Sequence, residues 1–243
     1  MIKFAALAKL TCAAVLCAGL AHGQGITVSA RTQLITAEGR GKPRPSNNVL
    51  VWLTPVGPPT PDLAAVVPSI VPPRLTQHNK SFSPHLLVVP VGSLVEFPNR
   101  DPFFHNVFSL FEGKRFDLGL YEAGTNRSVR FDKPGISYIF CNIHAEMSAV
   151  VVALVTPYYG ISDQQGVLTI PHVPPGRYIL SVWYETALPA ALDAMTHEVT
   201  ISEEHASLGV FRIPAASLPP PHKNKYGGDY NPPTPDNPAY ERP

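Results

Sequence analysis

The chain has 243 residues, of which 44% are hydrophobic and 15% charged, and its formal net charge is +1. This length allows one or two domains, and the apolar content excludes a chain that is disordered throughout, because enough apolar surface is present to form a core. The small net charge gives no electrostatic reason to expect nucleic acid or an anionic membrane as a partner.

The first 23 residues predict an export signal. Lys3 and Lys9 supply positive charge, residues 10–20 form a short apolar run, and residues 21–23 offer the small side chains of a cleavage site. The run is too short to cross a bilayer, so we expect a periplasmic or secreted product without stable membrane insertion. Cleavage would leave Cys141 as the one cysteine, which excludes a disulfide within the mature chain.

Short β-rich runs separated by Pro and Gly predict an all-β fold, because helical periodicity is hard to find in the mature chain. The weak exception, residues 186–195, is expected to be a loop or a single turn. The strands are predicted at 26–36, 48–55, 86–91, 94–97, 107–110, within 119–124, and at 128–131, 136–140, 149–155, 167–170, 178–184, 197–202 and 208–213.

Four side chains have the chemistry of a metal-ligand set. Cys141, His144 and Met147 follow the spacing Cys-x-x-His-x-x-Met in a loop between two predicted strands, and His105 lies upstream, before another strand. Two imidazole nitrogens, one thiolate and a weak thioether are the ligands of an electron-transfer copper site. Taken singly, each residue also fits a bland interpretation as a core cysteine, a core histidine or a space-filling methionine.

In their sequence context these residues resemble the blue-copper cupredoxins, and the short ligand loop is similar to that of the amicyanin branch. The resemblance covers residues 75–155. It implies a Greek-key sandwich that holds type 1 copper through His105, Cys141, His144 and Met147, with Asn106 bonding across to the ligand loop. It also implies that His144 exposes an edge at the loop apex and conducts electrons to a docked redox partner of unknown identity.

The ligand loop departs from the amicyanin pattern at two places. Asn142 and Ile143 stand where that branch usually has a Pro, and Glu146 puts a carboxylate beside the expected exposed edge of His144. We expect this carboxylate to influence the choice of partner or the reduction potential.

The flanking segments resemble the transthyretin-like sandwich of carboxypeptidase regulatory domains. The similarity rests on a turn at residues 162–166 and on the Pro-Pro-Gly-Arg-Tyr turn at residues 174–178. We expect the copper unit to be inserted within this second, smaller sandwich. The alternative is an independent N-terminal hairpin, in which Val49–Leu53 pairs with no strand after Gly160.

Composition shifts complete the predicted division of the chain. Seven prolines within residues 55–73 remove N–H donors and predict an extended linker, and the polar, Pro-rich stretch after residue 213 predicts a disordered tail. The predicted parts are a signal peptide (1–23), the first part of the transthyretin-like sandwich (24–57), a Pro-rich linker (58–74), the cupredoxin unit (75–156), the remainder of the sandwich (157–213) and the tail (214–243).

The ligand set favours a one-electron carrier, with no catalytic residues, over an enzyme. A nucleophilic pair of Cys141 and His144 is the enzyme-class alternative, but no Asn or Asp is evidently placed to orient the imidazole, and Met147 would have no role. A structural zinc site would normally use more thiolate and no thioether.

An exported binding module for carbohydrate or a cell-surface protein is the other alternative, and its copper unit would be degenerate or would store copper. Sugar-stacking aromatics in the flanking sandwich would then be Tyr158, Tyr159, Trp183 and Tyr184.

Overall fold

The computed structural model describes residues 25–36, 44–57, 70–110, 113–216 and 222–230. The predicted signal peptide and residues 58–69 of the predicted linker lie outside these ranges. Within them, no helix is long and apolar enough to cross a bilayer.

The described chain is almost entirely β-structure, so the all-β prediction is confirmed. In chain order the strands are β1 (Ile26–Thr36), β2 (Arg44–Pro45), β3 (Leu50–Pro55), β4 (Thr76–His78), β5 (Ser81–Ser83), β6 (Leu86–Pro90), β7 (Ser93–Pro98), β8 (His105–Ser109), β9 (Phe116–Tyr121), β10 (Asn126–Phe131), β11 (Gly135–Cys141), β12 (Ser148–Leu154), β13 (Tyr159–Ile161), β14 (Val167–Val173), β15 (Gly176–Trp183), β16 (His197–Ile201) and β17 (Ser207–Ala215).

The first and last strands form an outer sandwich of two sheets. One sheet has the order β14-β1-β17, with β2 beside β1, and the other has the order β13-β3-β15-β16. Along β1, Val28, Ala30 and Leu34 are buried in the core between the sheets, while Ser29 and Arg31 are exposed. This alternation is what a strand with one face in a core requires.

The middle strands form a second unit with its own core. A five-stranded sheet of order β6-β12-β11-β8-β9 accompanies the two-stranded pairs β7-β10 and β4-β5. Its core includes Phe97, Phe131, Ile139, Val151 and Met147, all almost fully buried.

The outer sandwich is assembled from chain on both sides of the middle unit. Strand β3 pairs antiparallel with β15, so that Leu53 lies opposite Leu180, and with β13, so that Trp52 lies opposite Tyr159. An independent N-terminal hairpin required that Val49–Leu53 pair with no strand after Gly160. Strand β15 follows Gly160 and pairs with β3, so the hairpin alternative is wrong. The limits predicted for the individual domains stay predictions.

Strand β12 joins the two units. Ala149, Val151 and Ala153 point into the middle core, whereas Val150 and Val152 belong to an interface cluster. That interface cluster consists of Leu50, Leu86, Val150, Val152, Leu154 and Trp183. Because both faces of β12 are buried, its sequence is an unbroken apolar run with no polar alternation.

Two sequence expectations need correction. Residues 189–195 form a helix, α1 (Pro189–Met195), and not a loop or a single turn; Pro at its start has the fixed φ that a first helical turn needs. At the end of the predicted linker, Pro73 accepts a hydrogen bond from the main chain of Glu96 in β7, and Leu75 donates one to it.

The second correction concerns the C-terminal tail. The expectation of disorder from residue 214 is wrong for the described part, because β17 continues to Ala215 and residues 222–230 pack on the middle unit. Hydrogen bonds and a stacked ring, described below, replace the aliphatic burial that this segment lacks.

Candidate metal centre

The sheet register brings His105 to Cys141. Strands β8 and β11 are antiparallel neighbours in which Val107 lies opposite Cys141. Side chains two residues apart share a face of a strand, so His105 and Val107 point to the same side as Cys141. A residue distant in the sequence is therefore placed beside the ligand loop by ordinary strand pairing.

The ligand loop, residues 141–147, is closed by its own main chain. The N–H of Cys141 donates to the carbonyl oxygen of Met147 at 3.2 Å, and the N–H of Met147 donates to that of His144 at 3.2 Å. These bonds turn the chain back within six residues. They hold His144 on the same side of the loop as the Cys141 sulfur, which allows the contacts described next.

Two imidazoles converge on one thiol. The Sγ atom of Cys141 lies 3.6 Å from Nδ1 of His105 and 3.6 Å from Nδ1 of His144. The two imidazole rings are 5.0 Å apart, and the three candidate ligand atoms lie within 4.8 Å of one another. Cys141 and His105 are 0% exposed and His144 is 6% exposed, so the three polar groups meet in a nearly dry site.

Met147 is placed in the same region but its role stays a prediction. Its side chain is fully buried in the middle core, in the same apolar cluster as Cys141. Its main chain closes the ligand loop, as described above. A thioether in this cluster is available as a weak fourth ligand, which is the part that the sequence assigns to it.

Both imidazoles are held neutral. Burial lowers the pKa of His105, and its hydrogen bond to Asp101 offsets this only in part. Burial, together with repulsion from nearby His105, lowers the pKa of His144 to about 4. Neutral rings keep a lone pair for a metal at ordinary pH, because protons do not compete for it.

The Cys141 sulfur is surrounded by N–H donors. Burial raises the pKa of the thiol, and main-chain hydrogen bonds from Asn106, Ile143 and His144 oppose that rise. Without a metal the thiol therefore keeps its proton. The same three N–H groups would stabilise the thiolate that a metal ion produces.

Asp101 is a functional residue that the sequence reasoning missed. Its carboxylate Oδ2 lies 2.9 Å from Nε2 of His105, and the carboxylate is 3% exposed. Burial alone would raise the pKa of Asp101, but hydrogen bonds from the Lys80 main chain and from His105 bring it below its usual value. An ionised carboxylate can only accept, so Nε2 of His105 carries the proton and Nδ1 presents its lone pair to the sulfur.

The short hairpin of β4 and β5 holds Asp101 in place. At its tip, Asn79 and Lys80 both have positive φ angles, of 53° and 50°. Their main-chain N–H groups donate to the two carboxylate oxygens of Asp101, at 2.6 and 3.0 Å. Strained backbone of this kind is maintained where the surroundings use it, and here it fixes the partner of a candidate ligand.

Asn106 is connected to the ligand loop through its main chain and not through its side chain. Its carbonyl oxygen accepts from the N–H of Asn142 at 2.8 Å. Its side-chain Nδ2 instead donates to Oδ1 of Asp117 at 2.6 Å. The expectation of a bond across to the ligand loop thus holds for the backbone only, because Asp117 on neighbouring β9 offers a closer carboxylate acceptor.

The expected exposed edge of His144 is not present. Phe103 lies against both imidazoles, with ring-centroid distances of 5.3 Å to His105 and 5.6 Å to His144. The ammonium of Lys80 lies 5.6 Å from the centroid of the Phe103 ring. His144 is buried because the 99–104 loop brings an aromatic ring over it, a contact that no local pattern predicts.

The site fits a metal ion of the predicted kind. At the bond lengths of about 2.0 and 2.3 Å that zinc makes to nitrogen and sulfur, an angle of about 120° would separate the two atoms by roughly 3.7 Å, close to both observed distances. A thiol has one proton and can donate to only one of the two Nδ1 atoms. With the proton of His144 on Nε2, both rings would direct an Nδ1 lone pair at the point beside the sulfur where an ion could bind.

Several solved structures are similar to part of this chain. A purple cupredoxin from Nitrosopumilus maritimus is 22% identical, with a TM-score of 0.31, over 34% of this chain and 99% of its own. A variant of amicyanin in its reduced form is 19% identical, with a TM-score of 0.33, over 37% of this chain and 94% of its own.

A copper-containing nitrite reductase from Thermus scotoductus is 26% identical, with a TM-score of 0.34, over 40% of this chain. The match spans 27% of the reductase. No family model and no curated protein matches the sequence. Because these TM-scores are low, the proposal that follows rests on the side chains of this chain.

Proposed function

We propose that this protein binds one copper ion in a type 1 site and serves as a one-electron carrier. His105, Cys141 and His144 would be the main ligands and Met147 the weak fourth. The observation that carries the proposal is the approach of two neutral imidazole nitrogens to one buried thiol, each at 3.6 Å. Nitrogen and soft sulfur together suit both oxidation states of copper.

Each residue has a defined task in this proposal. Asp101 fixes the tautomer of His105, so that Nδ1 offers its lone pair. The main-chain N–H groups of Asn106 and Ile143 donate hydrogen bonds to the Cys141 sulfur and would stabilise the negative charge of its thiolate. Phe103 excludes water from the two imidazoles. Copper, when bound, supplies the exchange of one electron between Cu(I) and Cu(II), and the preformed positions of these groups limit rearrangement between the two states.

Carrier function is favoured over catalysis by Cys141. A nucleophilic cysteine needs a lowered pKa and access to substrate, whereas burial raises the pKa of Cys141 and leaves it 0% exposed. The Asp101 carboxylate hydrogen-bonds to His105, which also lies 3.6 Å from the Cys141 sulfur, so it is the burial and the raised pKa of the thiol that argue against catalysis. The site is therefore unfavourable for nucleophilic catalysis by the thiol, whereas metal binding needs no substrate channel.

The binding-module alternative gains no support from the aromatic side chains on which it depended. Tyr158 and Trp183 are buried in the outer core and in the interface cluster. Tyr159 and Tyr184 pack against the same clusters. Tyr158 and Trp183 are therefore not available for stacking on a sugar, and Tyr159 and Tyr184 are only partly exposed.

We also propose an exported protein that exchanges electrons with a redox partner. The export signal is read from residues 1–23 of the sequence, and the oxidising exterior suits a lone thiol protected by a metal. Since Phe103 covers His144, we propose that the partner approaches at Phe103 and not at a bare imidazole edge.

A copper titration tests the proposed function. Purified protein with Cu(II) should develop an intense visible band from sulfur-to-copper charge transfer, saturate at one equivalent and bleach on reduction. Cys141→Ser should abolish the band. Met147→Leu should keep the copper and shift the reduction potential, because it removes only the weak ligand. A colourless wild-type protein at saturating copper would overturn the proposal.

A further inference from the structure

The C-terminal residues 222–230 lie directly against the ligand loop. The Tyr230 hydroxyl donates to the carbonyl oxygen of Cys141 at 2.8 Å. Nδ1 of His222 lies 3.0 Å from the same hydroxyl, and the His222 ring stacks on Phe140 with centroids 4.2 Å apart and planes at 27°. The segment therefore contacts the candidate thiolate ligand and the residue before it.

Lys225 extends this contact to the next residue and to the opposite strand. Its main-chain N–H donates to Oδ1 of Asn142 at 2.8 Å. Its Nζ atom lies 2.8 Å from Oδ2 of Asp117, the carboxylate that also accepts from Asn106. The segment thus contacts the ligand loop and, through Asp117, strand β9, which is the neighbour of the strand that carries His105.

The segment has a structure of its own that presents these groups. Asn224 organises it, because its Oδ1 accepts from the N–H groups of Tyr226 and Gly228 and its Nδ2 donates to the carbonyl oxygen of Asp229. Gly227 takes a φ of +81°, which glycine adopts without strain. A turn stabilised in this way holds Tyr230 at a fixed position over Cys141.

We propose that Tyr230 is a positioning residue of the metal centre and that residues 222–230 hold the ligand loop in its closed form through it. The hydroxyl fixes the carbonyl side of Cys141, while the bond to Met147 fixes its N–H side. The main chain of Cys141 is then held on both sides, and its sulfur stays aimed between His105 and His144. The inference deepens the proposed function, and its first test needs no copper.

Thiol reactivity of the metal-free protein measures how often the loop opens. In a chain with Cys12→Ser and Cys17→Ser, Cys141 is the remaining thiol. Its thiolate attacks an aromatic disulfide reagent, a mixed disulfide forms, and one coloured aryl thiolate leaves. Since buried Cys141 reacts only when the loop opens, the rate reports the open population.

Tyr230→Phe removes the hydroxyl, with its hydrogen bonds to Cys141 and His222, and keeps the ring, so it should raise the rate about three- to tenfold. A chain ending at Ala216 should raise it by at least about tenfold, because the Lys225 and His222 contacts are lost as well. Tyr226→Phe is the matched control: the same change in the same segment, at a residue that is 81% exposed. Its rate should equal that of the parent chain.

The copper-loaded protein supplies an independent readout. Tyr230→Phe should shift the energy of the charge-transfer band and the reduction potential, and Tyr226→Phe should move neither. Thermal unfolding followed by circular dichroism shows that each variant is folded. Equal rates for Tyr230→Phe and Tyr226→Phe would overturn the inference, as would an unchanged rate in the shortened chain.

The two proposals fail differently. If the protein does not colour with copper but Tyr230→Phe changes the reactivity of Cys141, the positioning role of Tyr230 stands and the redox function is refuted. If the protein is coloured by copper but Tyr230→Phe changes neither the thiol rate nor the reduction potential, the redox function stands and the positioning role is refuted.

Discussion

The Asp101 carboxylate determines how strongly His105 can donate to a metal. It accepts the Nε2 proton of His105 and is itself held by the N–H groups of Asn79 and Lys80. A buried negative charge behind the imidazole increases its basicity and favours the more highly charged metal state. With copper bound, this charge would stabilise Cu(II) relative to Cu(I).

We therefore expect Asp101→Asn to raise the reduction potential and to weaken copper binding by about 10- to 100-fold. Asp132→Asn is the control, because the Asp132 side chain is 51% exposed and pairs with Lys114. Voltammetry and a copper-affinity titration check both variants. A potential that is the same in Asp101→Asn as in the parent protein would show that the carboxylate does not act on the metal.

Phe103 is expected to limit access to the two imidazoles. Phe103→Ala should open the site, so that an external chelator removes copper faster than from the parent protein, by about tenfold or more, since local opening is no longer needed. Phe104→Ala is a matched control, because Phe104 is the adjacent ring and is 43% exposed. Equal release rates in the two variants would contradict a covering role for Phe103.

At the scale of residues, the sequence indicated the candidate ligands and not their surroundings. Spacing within one loop pointed to Cys141 and His144, and ligand chemistry pointed to His105. Asp101, Phe103 and Tyr230 carry no such signal, because each contributes through one tertiary contact. The burial of His144 was missed for the same reason: exposure depends on a loop that neighbours the site only in the fold.

Between elements, the end of β15 is linked to the start of β6. His85, just before β6, places Nε2 2.6 Å from Oε2 of Glu185, just after β15. The hydrogen bond that His85 donates to Glu185 outweighs the effect of burial and raises the pKa of His85 above its usual value. The pair therefore fastens the outer sandwich to the middle unit in a way that depends on pH.

The sign of this dependence follows from the raised pKa. Protonated His85 stabilises the fold fully below about pH 6.5, and that contribution is lost as the pH rises through the folded-state pKa. The His85 side chain is 39% exposed, so the effect should stay below about 1 kcal/mol, or about 2–4 °C in the melting temperature.

Glu185→Gln should accordingly lower the melting temperature more at pH 6 than at pH 8. Glu198→Gln is the control, since Glu198 pairs with Arg177, which does not titrate in this range. Its loss should be the same at both pH values. Equal losses at both pH values for Glu185→Gln would refute the titrating link.

At the scale of elements, periodicity predicted the longer strands and failed for the short ones. Strand β12 was recognisable because both of its faces are buried, which gives a continuous apolar run. Strands β4, β5 and β13 have three residues each, too few for any pattern. Helix α1 buries no residue of its own, so it has no apolar stripe to reveal it.

For the whole molecule, strand pairing links metal binding to the stability of the outer sandwich. The middle unit lies between β3 and β13, which pair with each other. The units also share the interface cluster, including Leu50 and Trp183 from one and Leu154 from the other. We expect the molecule to unfold in one transition, because neither unit keeps its buried faces covered alone.

The two tryptophans, Trp52 and Trp183, both lie in the outer sandwich and report its unfolding. Copper at about 100 times its dissociation constant should raise their fluorescence midpoint by about 5–10 °C. Loss of the visible band should coincide with it. Cys141→Ser should keep the metal-free midpoint and lose the response to copper. If copper does not change the midpoint measured by tryptophan fluorescence, the two units unfold independently.

The central claim is that His105, Cys141, His144 and Met147 surround one copper ion. X-ray absorption at the copper edge of the loaded, oxidised protein tests it most directly. The account predicts one short copper–sulfur distance and two copper–nitrogen distances from imidazole, with the short sulfur distance absent in Cys141→Ser. A copper shell of nitrogen and oxygen alone in the wild-type protein would contradict it.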